Sequence, residues 1–185
     1  MRSLYGGRGT VLEELINNAN RHYIEVGLGC IQKIPTPIKV LELKQGMIIK
    51  GFFEEKSTVD YIGVIQSNPV CFDAKESKID TYALKNIHSH QINYMNEYAK
   101  QQGIAYIILM FTTREEAYLI PLEYLNEYIK RQKNGGRKSI TYKEIPKKYK
   151  VELKKGMADY LPALGLYIED QITHKINSEI RDIFF

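Results

Sequence analysis

Eight consecutive apolar residues, 104–111, restrict the folds open to this chain more than any other feature. The run is too short to cross a bilayer, for which a helix needs about 20 residues. Read as a strand it offers no polar face to water, so both of its faces need cover and it belongs at the centre of a sheet. Around it the apolar period alternates. A helix is expected from about Thr10 to Tyr23, where Leu12, Leu15, Ile16, Ala19 and Tyr23 share one face. Strands 59–65 and 70–75 flank a turn at Gln66-Ser67-Asn68-Pro69, short enough to make them an antiparallel pair. A helix over 86–102 follows, with Asn86 as its N-cap and Gly103 as its stop. Strand 117–120 leads to a helix that Pro121 opens and that runs to about Arg131, and a last helix is expected over 167–183. The order α-β-β-β-α-β-β-α predicts one α/β domain over residues 1–185, a mixed sheet flanked by helices.

Residues 30–56 look different. Pro35 and Pro37, one residue apart, forbid a helix and stiffen the backbone. Gln45-Gly46 reads as a turn between 39–43 and 47–53, so a protruding hairpin is expected, with Lys33, Lys39, Lys44 and Lys50 spaced along it.

At 185 residues the chain is long enough to bury a core, and 44% hydrophobic with 26% charged residues is ordinary for a globular protein. Cys30 and Cys71 make no disulfide framework, and the N-terminal residues lack the apolar stretch of a signal peptide. A reducing cytoplasm is therefore the expected location, with no membrane association. The net charge of +4 hides an asymmetry: residues 130–156 hold eleven Lys and Arg against Glu144 and Glu152, a local +9, while the remainder carries −5. Such a segment suits a polyanion. A solvated linker is the bland alternative, and the interleaved Tyr142, Ile145 and Tyr149 argue against it.

The chemistry concentrates in Asp60 and in Asp73-Ala74-Lys75. Two carboxylates on adjacent strands beside an ammonium suit metal-assisted phosphodiester hydrolysis. The acids supply hard oxygen ligands for Mg²⁺, and the lysine steadies the charge that develops on phosphate. Thr58, two residues before Asp60, shares its strand face. Gln91 is a polar group in the apolar helical stripe of Ile87, Tyr94, Met95 and Tyr98, and its amide needs either a ligand or a backbone partner. Glu13 faces the sheet as a further candidate, although Thr10-x-x-Glu13 is also a capping box, and Glu14 reads as solvent-facing. His88 and His90, two apart on a helix, point to different sides, which with the missing companion ligands argues against zinc.

These residues stand within motifs that resemble the RecU family of Holliday junction resolvases. The resemblance rests on Gly7-Arg8-Gly9 with Leu12-Glu13-Glu14-x-Ile16-Asn17, on Lys33-x-Pro35-Thr36-Pro37 and on Ser57-Thr58-x-Asp60-Tyr61-x-Gly63. It continues through Phe72-Asp73-Ala74-Lys75-Glu76, Leu84-x-Asn86-Ile87-x-x-His90-Gln91-x-x-Tyr94-Met95 and Asn134-Gly135-Gly136-Arg137-Lys138-Ser139-Ile140. The blocks keep the family's order and cover the chain to about residue 170. The resemblance implies a restriction-endonuclease-like fold, a homodimer, and cleavage of four-way junction DNA with Mg²⁺, for which Mn²⁺ substitutes. Thr58, Asp60, Asp73 and Gln91 match the family's metal-binding positions, and Lys75 its transition-state lysine. The proline-bearing segment matches the stalk that enters the open junction, and Arg8 a residue that touches DNA. Three departures stand out: Asp73 where the family usually has glutamate, a 75–91 loop one residue shorter, and almost no basic N-terminal arm. They fit a phage-type or divergent member.

The expectation is thus a junction-resolving endonuclease acting in recombination and repair. Lys75, Asp60, Asp73 and Glu13 would be its catalytic residues, and Arg8, Lys33, Lys39, Arg137 and Lys138 would contact DNA. The alternatives are another nuclease of the same fold acting on duplex DNA, which leaves the hairpin without an obvious job, and a non-catalytic junction-binding protein.

Overall fold

The computed structural model describes residues 11–53 and 58–184 of the chain. Among these, β1 (Gly29–Lys33), β4 (Tyr61–Ile65), β5 (Asn68–Ser77), β7 (Ile104–Phe111), β8 (Glu116–Pro121), β10 (Lys150–Lys154) and β11 (Met157–Asp159) form one sheet in the order β1-β4-β5-β7-β8-β10-β11. The apolar run is its middle strand, as its two-faced pattern requires. Only β5 and β7 run parallel, in the register Asp73↔Ile107 and Lys75↔Leu109, and the remaining pairs are antiparallel.

Helices cover both faces. On one, α1 (Val11–Glu25) and α4 (Leu161–Phe184) pack through Leu12, Ile16, Tyr23 and Leu164 onto Phe72, Tyr106 and Ile108. On the other, α2 (Ser89–Lys100) and α3 (Leu122–Lys133) bring Met95 and Leu125 onto Cys71, Ile107, Leu109 and Ile120. Alternation along β5 therefore sends Phe72, Ala74 and Glu76 toward α1, and Asp73 and Lys75 toward α2.

The hairpin is β2 (Ile38–Lys44) with β3 (Met47–Phe53), a two-stranded sheet of its own whose β2 residues are all exposed. Gln45 and Gly46 both take positive φ (51° and 76°), the geometry of a tight two-residue hairpin turn. Its extent differs from the expected 30–56. Residues up to Lys33 pair with β4 as an edge of the main sheet, so the projection begins only after the prolines lift the chain away.

Other boundaries moved for local reasons. The β4–β5 turn is Gln66-Ser67 alone, both left-handed (46° and 64°), and Asn68 and Pro69 lie within β5. Asn86 ends a short 3₁₀ turn, and the N-cap of α2 is His88. Gln102, with φ 66°, rather than Gly103 turns the chain out of α2. Gly103 is needed because a Cβ there would lie 2.3 Å from the Tyr98 ring. The last helix starts at Leu161, six residues early, since Pro162 falls in a first turn that needs no N–H from it. The three-residue strands β6 (Thr81–Ala83) and β9 (Ser139–Thr141), like β11, are too short to show a period.

Candidate functional site

The β4–β5 ladder ends in carboxylates. One step past the paired Tyr61 and Phe72, the Asp60 N–H donates to Asp73 Oδ1 at 2.8 Å, and the Ala74 N–H donates to Asp60 Oδ2 at 3.0 Å. The Asp60 carbonyl meanwhile accepts the Ile34 N–H at 2.8 Å, which ties the same residue to the chain leaving β1. Two acids that would be costly at a strand end are thus held by backbone N–H groups.

Asp73 is fully buried and Lys75, on the same face of β5, is 14% exposed, with Nζ 3.2 Å from Asp73 Oδ2. Apart from that ion pair, Asp73 Oδ2 has no hydrogen-bond partner among the described residues. Burial pushes the Asp73 carboxyl up to about 6; Lys75 opposes the rise and Asp60 adds to it. The strain reaches the neighbours. The Cys71 thiol is pushed up to about 12 by burial and then by Asp73. The Tyr82 phenol rises through burial, then Asp73 and Asp60. Tyr82 was not legible as a neighbour of the acids, because its three-residue strand, paired with the distant β9, is too short to show a period.

The remaining candidates are less closely gathered. Thr58 lies in an exposed bend before β4, so the strand alternation that would align it with Asp60 does not apply there. Gln91 is buried at the start of α2, and its amide oxygen accepts the His88 N–H at 3.2 Å, the backbone role weighed against ligation. Glu13 stands on α1, the opposite layer, where Lys33 Nζ donates to it at 3.1 Å. It still shares the Tyr61 phenol with Asp60: burial, then Glu13, then Asp60 push that hydroxyl up. Glu14 is exposed. Thr10 of the expected capping box lies outside the described residues, and Glu76 of β5 instead accepts the Leu12 N–H at 2.6 Å. His88 and His90 do not point apart: as N-cap and first-turn residue they stack 5.4 Å centroid to centroid. No cluster of three or more His, Cys, Asp or Glu is gathered for a metal among the described residues. Yet a buried carboxylate oxygen without a hydrogen bond, beside a second carboxylate, is a donor set that suits a hard cation.

The basic segment is not a uniform stripe. It runs through the end of α3, β9, two 3₁₀ turns and β10, and acids from elsewhere answer part of it. Lys148 pairs with Asp170, Lys150 with Glu116 and Lys154 with Asp159. Within it, Glu144 takes Arg131 and, at 3.4 Å, Arg137. Lys138 is exposed without an ion pair among the described residues; Lys39 lies on the hairpin, and Arg8 lies outside the described residues. A cavity of about 600 Å³ at the far end of β7, lined by Lys100, Ile104, Asn126 and Tyr167 among others, holds none of the candidate residues. No described helix is long and apolar enough to cross a membrane.

Comparison with known proteins bears on the whole arrangement. The protein named Holliday junction resolvase RecU of Geobacillus sp. (strain WCH70) is 41% identical over 147 residues, covering 76% of this chain and 73% of the relative. Its namesake in Bacillus cytotoxicus is 37% identical over 147 residues, covering 76% and 74%. A solved structure of Archaeoglobus fulgidus Hjc, a Holliday junction resolvase, aligns over 56% of this chain and 74% of that one at 11% identity, with a TM-score of 0.34, too slight a likeness to carry an argument. The profile of the RecU family, Recombination protein U, matches residues 7–166. With the motif blocks in order and that match spanning most of its length, the chain belongs to the RecU family.

Proposed function

We propose that this chain is a structure-selective endonuclease that resolves four-way DNA junctions by paired incisions, with a divalent cation, Mg²⁺ or Mn²⁺, held by Asp60 and Asp73. One observation carries the reading: a fully buried Asp73, bonded to the Asp60 N–H, whose Oδ2 has among the described residues no partner beyond its ion pair with Lys75 at 3.2 Å. Bound there, a divalent cation supplies Lewis-acid polarisation of the scissile phosphate and acidifies the attacking water. The chain's own residues do the rest. Asp60 and Asp73 are pre-set by backbone N–H groups, so little reorganisation is required on loading. Lys75 places an ammonium where negative charge grows on the phosphate. Gln91, fixed by His88, and Thr58 and Glu13 at the margin complete the set we assign to the site.

Selectivity is assigned to shape. The exposed β2–β3 hairpin occupies the open centre of a junction, with Lys39 on its flank, while Arg8, Lys33, Arg137 and Lys138 meet the arms. These contacts hold the backbone rather than read bases. Two symmetric nicks need two sites related by a two-fold axis, hence a homodimer. Reduced Cys30 and Cys71 are compatible with work in the cytoplasm.

The test compares a four-way junction with a linear duplex, each with Mg²⁺ and with chelator. Symmetric paired cuts confined to the junction are expected. Equal nicking of linear duplex would point to a duplex nuclease, and junction binding without cutting to a non-catalytic protein.

A further inference from the structure

The end of the sheet beyond Lys75 carries a second cluster that hydrolysis does not use. Ser77 closes β5 two residues after Lys75, and its carbonyl accepts the Thr112 N–H at 2.9 Å where β7 ends. Past it, Asp80 takes the Arg114 guanidinium in bidentate fashion at 2.6 and 2.5 Å, and its carbonyl accepts the Tyr142 N–H at 2.8 Å. Tyr118 and Tyr142 both donate their hydroxyls to one oxygen of Glu116, and Lys150 donates to the other at 2.7 Å. The two rings stand edge-to-face 6.0 Å apart, and Tyr142 packs edge-on against Phe111 at 5.4 Å. Phe111, Tyr118 and Tyr142 belong to the core on the α2 side, the side to which Asp73 and Lys75 also point.

Two cations lie on this aromatic platform. Arg114 Cζ is 4.0 Å from the Tyr142 centroid, and Lys147 Nζ is 2.9 Å from it and 4.3 Å from that of Tyr118. Their charges are not equally answered. Arg114 is matched by Asp80 and Lys150 by Glu116, whereas Lys147, on the exposed surface, forms no ion pair among the described residues. Partial burial lowers its pKa; Glu116 opposes this most strongly, Arg114 and then Lys150 add to the lowering, and Asp80 opposes it least. An ammonium held by ring faces keeps less rotamer freedom to lose when an anion arrives, and of the three cations it is the one that no ion pair among the described residues answers.

We propose that Lys147, seated on Tyr142 and Tyr118, and Arg114, seated on Tyr142, form a binding site for a DNA backbone phosphate other than the one being cleaved. The proposal rests on the nuclease reading above and adds to it a site that its hairpin and arm contacts do not contain. At about 3.3 Å per residue, the end of β5 lies roughly 7 Å past Lys75. The seat lies beyond that end, and with one phosphate per 3.4 Å of axis on each strand it would meet a phosphate more than two positions from the cut. Arg114 explains why the local charge of residues 130–156 understated this surface: one of its two cations comes from the β7–β8 turn.

The test is equilibrium binding of a four-way junction and a matched linear duplex over a salt series, in Ca²⁺ to keep the DNA uncut. Lys147→Gln is expected to lower the slope of log K against log salt by about 0.9 and to weaken junction and duplex by the same factor. Lys147→Arg should keep most of the slope, and Lys100→Gln, at the opposite end of β7, should leave it unchanged. A Lys147→Gln slope equal to that of the unmodified chain, with DNA still bound, overturns the seat and leaves the nuclease reading standing. If the unmodified chain binds neither DNA, that reading fails and the seat with it.

Discussion

Asp60 and Asp73 are joined by hydrogen bonds that would elsewhere end on backbone carbonyls: Asp73 accepts the Asp60 N–H at 2.8 Å, and Asp60 accepts the N–H of the residue after Asp73 at 3.0 Å. The reciprocity fixes the separation of the two carboxylates through the backbone of β4 and β5. It also frees Lys75 from holding the pair together. Lys75 Nζ stands 3.2 Å from Asp73 Oδ2, the oxygen that takes no backbone N–H among the described residues.

Lys75→Ala is therefore expected to separate binding from chemistry. Removing one preorganised electrostatic group costs about 10²–10³ in rate, so single-turnover cleavage of a four-way junction should fall by that order while its equilibrium binding is retained. Parallel loss of both would show that Lys75 supports DNA docking or the fold instead.

Burial raises the Asp73 carboxyl to about 6, above the ordinary aspartate value of about 3.9. The folded state then holds the proton more tightly than the unfolded chain. The stability Asp73 contributes is full below about pH 4 and is lost as the pH rises through 6. Denaturant titrations in chelator between pH 4.5 and 7 should show that decline, and Asp73→Asn should flatten it. Ionised Asp73 is also the form that holds a cation, so Mg²⁺ affinity measured by calorimetry should fall as the pH drops through 6. An affinity indifferent to pH across that range would remove Asp73 from the ligand set.

Gly63 lies in β4 between β1 and β5, where a Cβ would stand 2.1 Å from the Cys30 carbonyl oxygen. Backbone cannot yield that distance without parting the β1–β4 pair. Gly63→Ala should cost about 3 kcal/mol in denaturant unfolding. It should also loosen Lys33, which the end of β1 delivers to Glu13. A change below 0.5 kcal/mol would mean that β1 is free to shift.

The β2–β3 hairpin forms its own two-stranded sheet, and large apolar side chains such as Leu43 (64% exposed) and Met47 (60%) face solvent. Replacing residues 38–53 with a short Gly-Ser linker should leave the thermal midpoint of the remaining fold within a few degrees. The preference for four-way junction over linear duplex in competition binding should disappear. A preserved preference would assign shape selection to the body of the protein.

What could be read in the chain, and what could not, follows from the range of the interactions involved. The run at 104–111 announced a covered central strand, and the short link between strands 59–65 and 70–75 announced the antiparallel pair that carries the acids. Both are nearest-neighbour patterns. The His88–His90 geometry went the other way: helical spacing separates such residues, but the helix starts at Ser89, which leaves His88 as a cap whose ring stacks on His90. Glu76 capping α1 across 64 residues, Tyr82 near the acids and Arg114 beside Lys147 have no local signature, because each depends on which strand lies next to which.

The sequence alone determined that Asp73 and Lys75 share one strand of a sheet covered on both sides, with Asp60 close to its antiparallel neighbour, since period, turn length and apolar content are local properties; the strand itself begins only at Tyr61, one residue after Asp60. The tertiary structure decided that Asp73 loses all contact with water, that its second oxygen meets Lys75, and that part of the basic segment is paired with acids while Lys147 forms no ion pair among the described residues. Burial and charge pairing are set by what packs against a residue, and for these residues the packing partners come from distant parts of the chain.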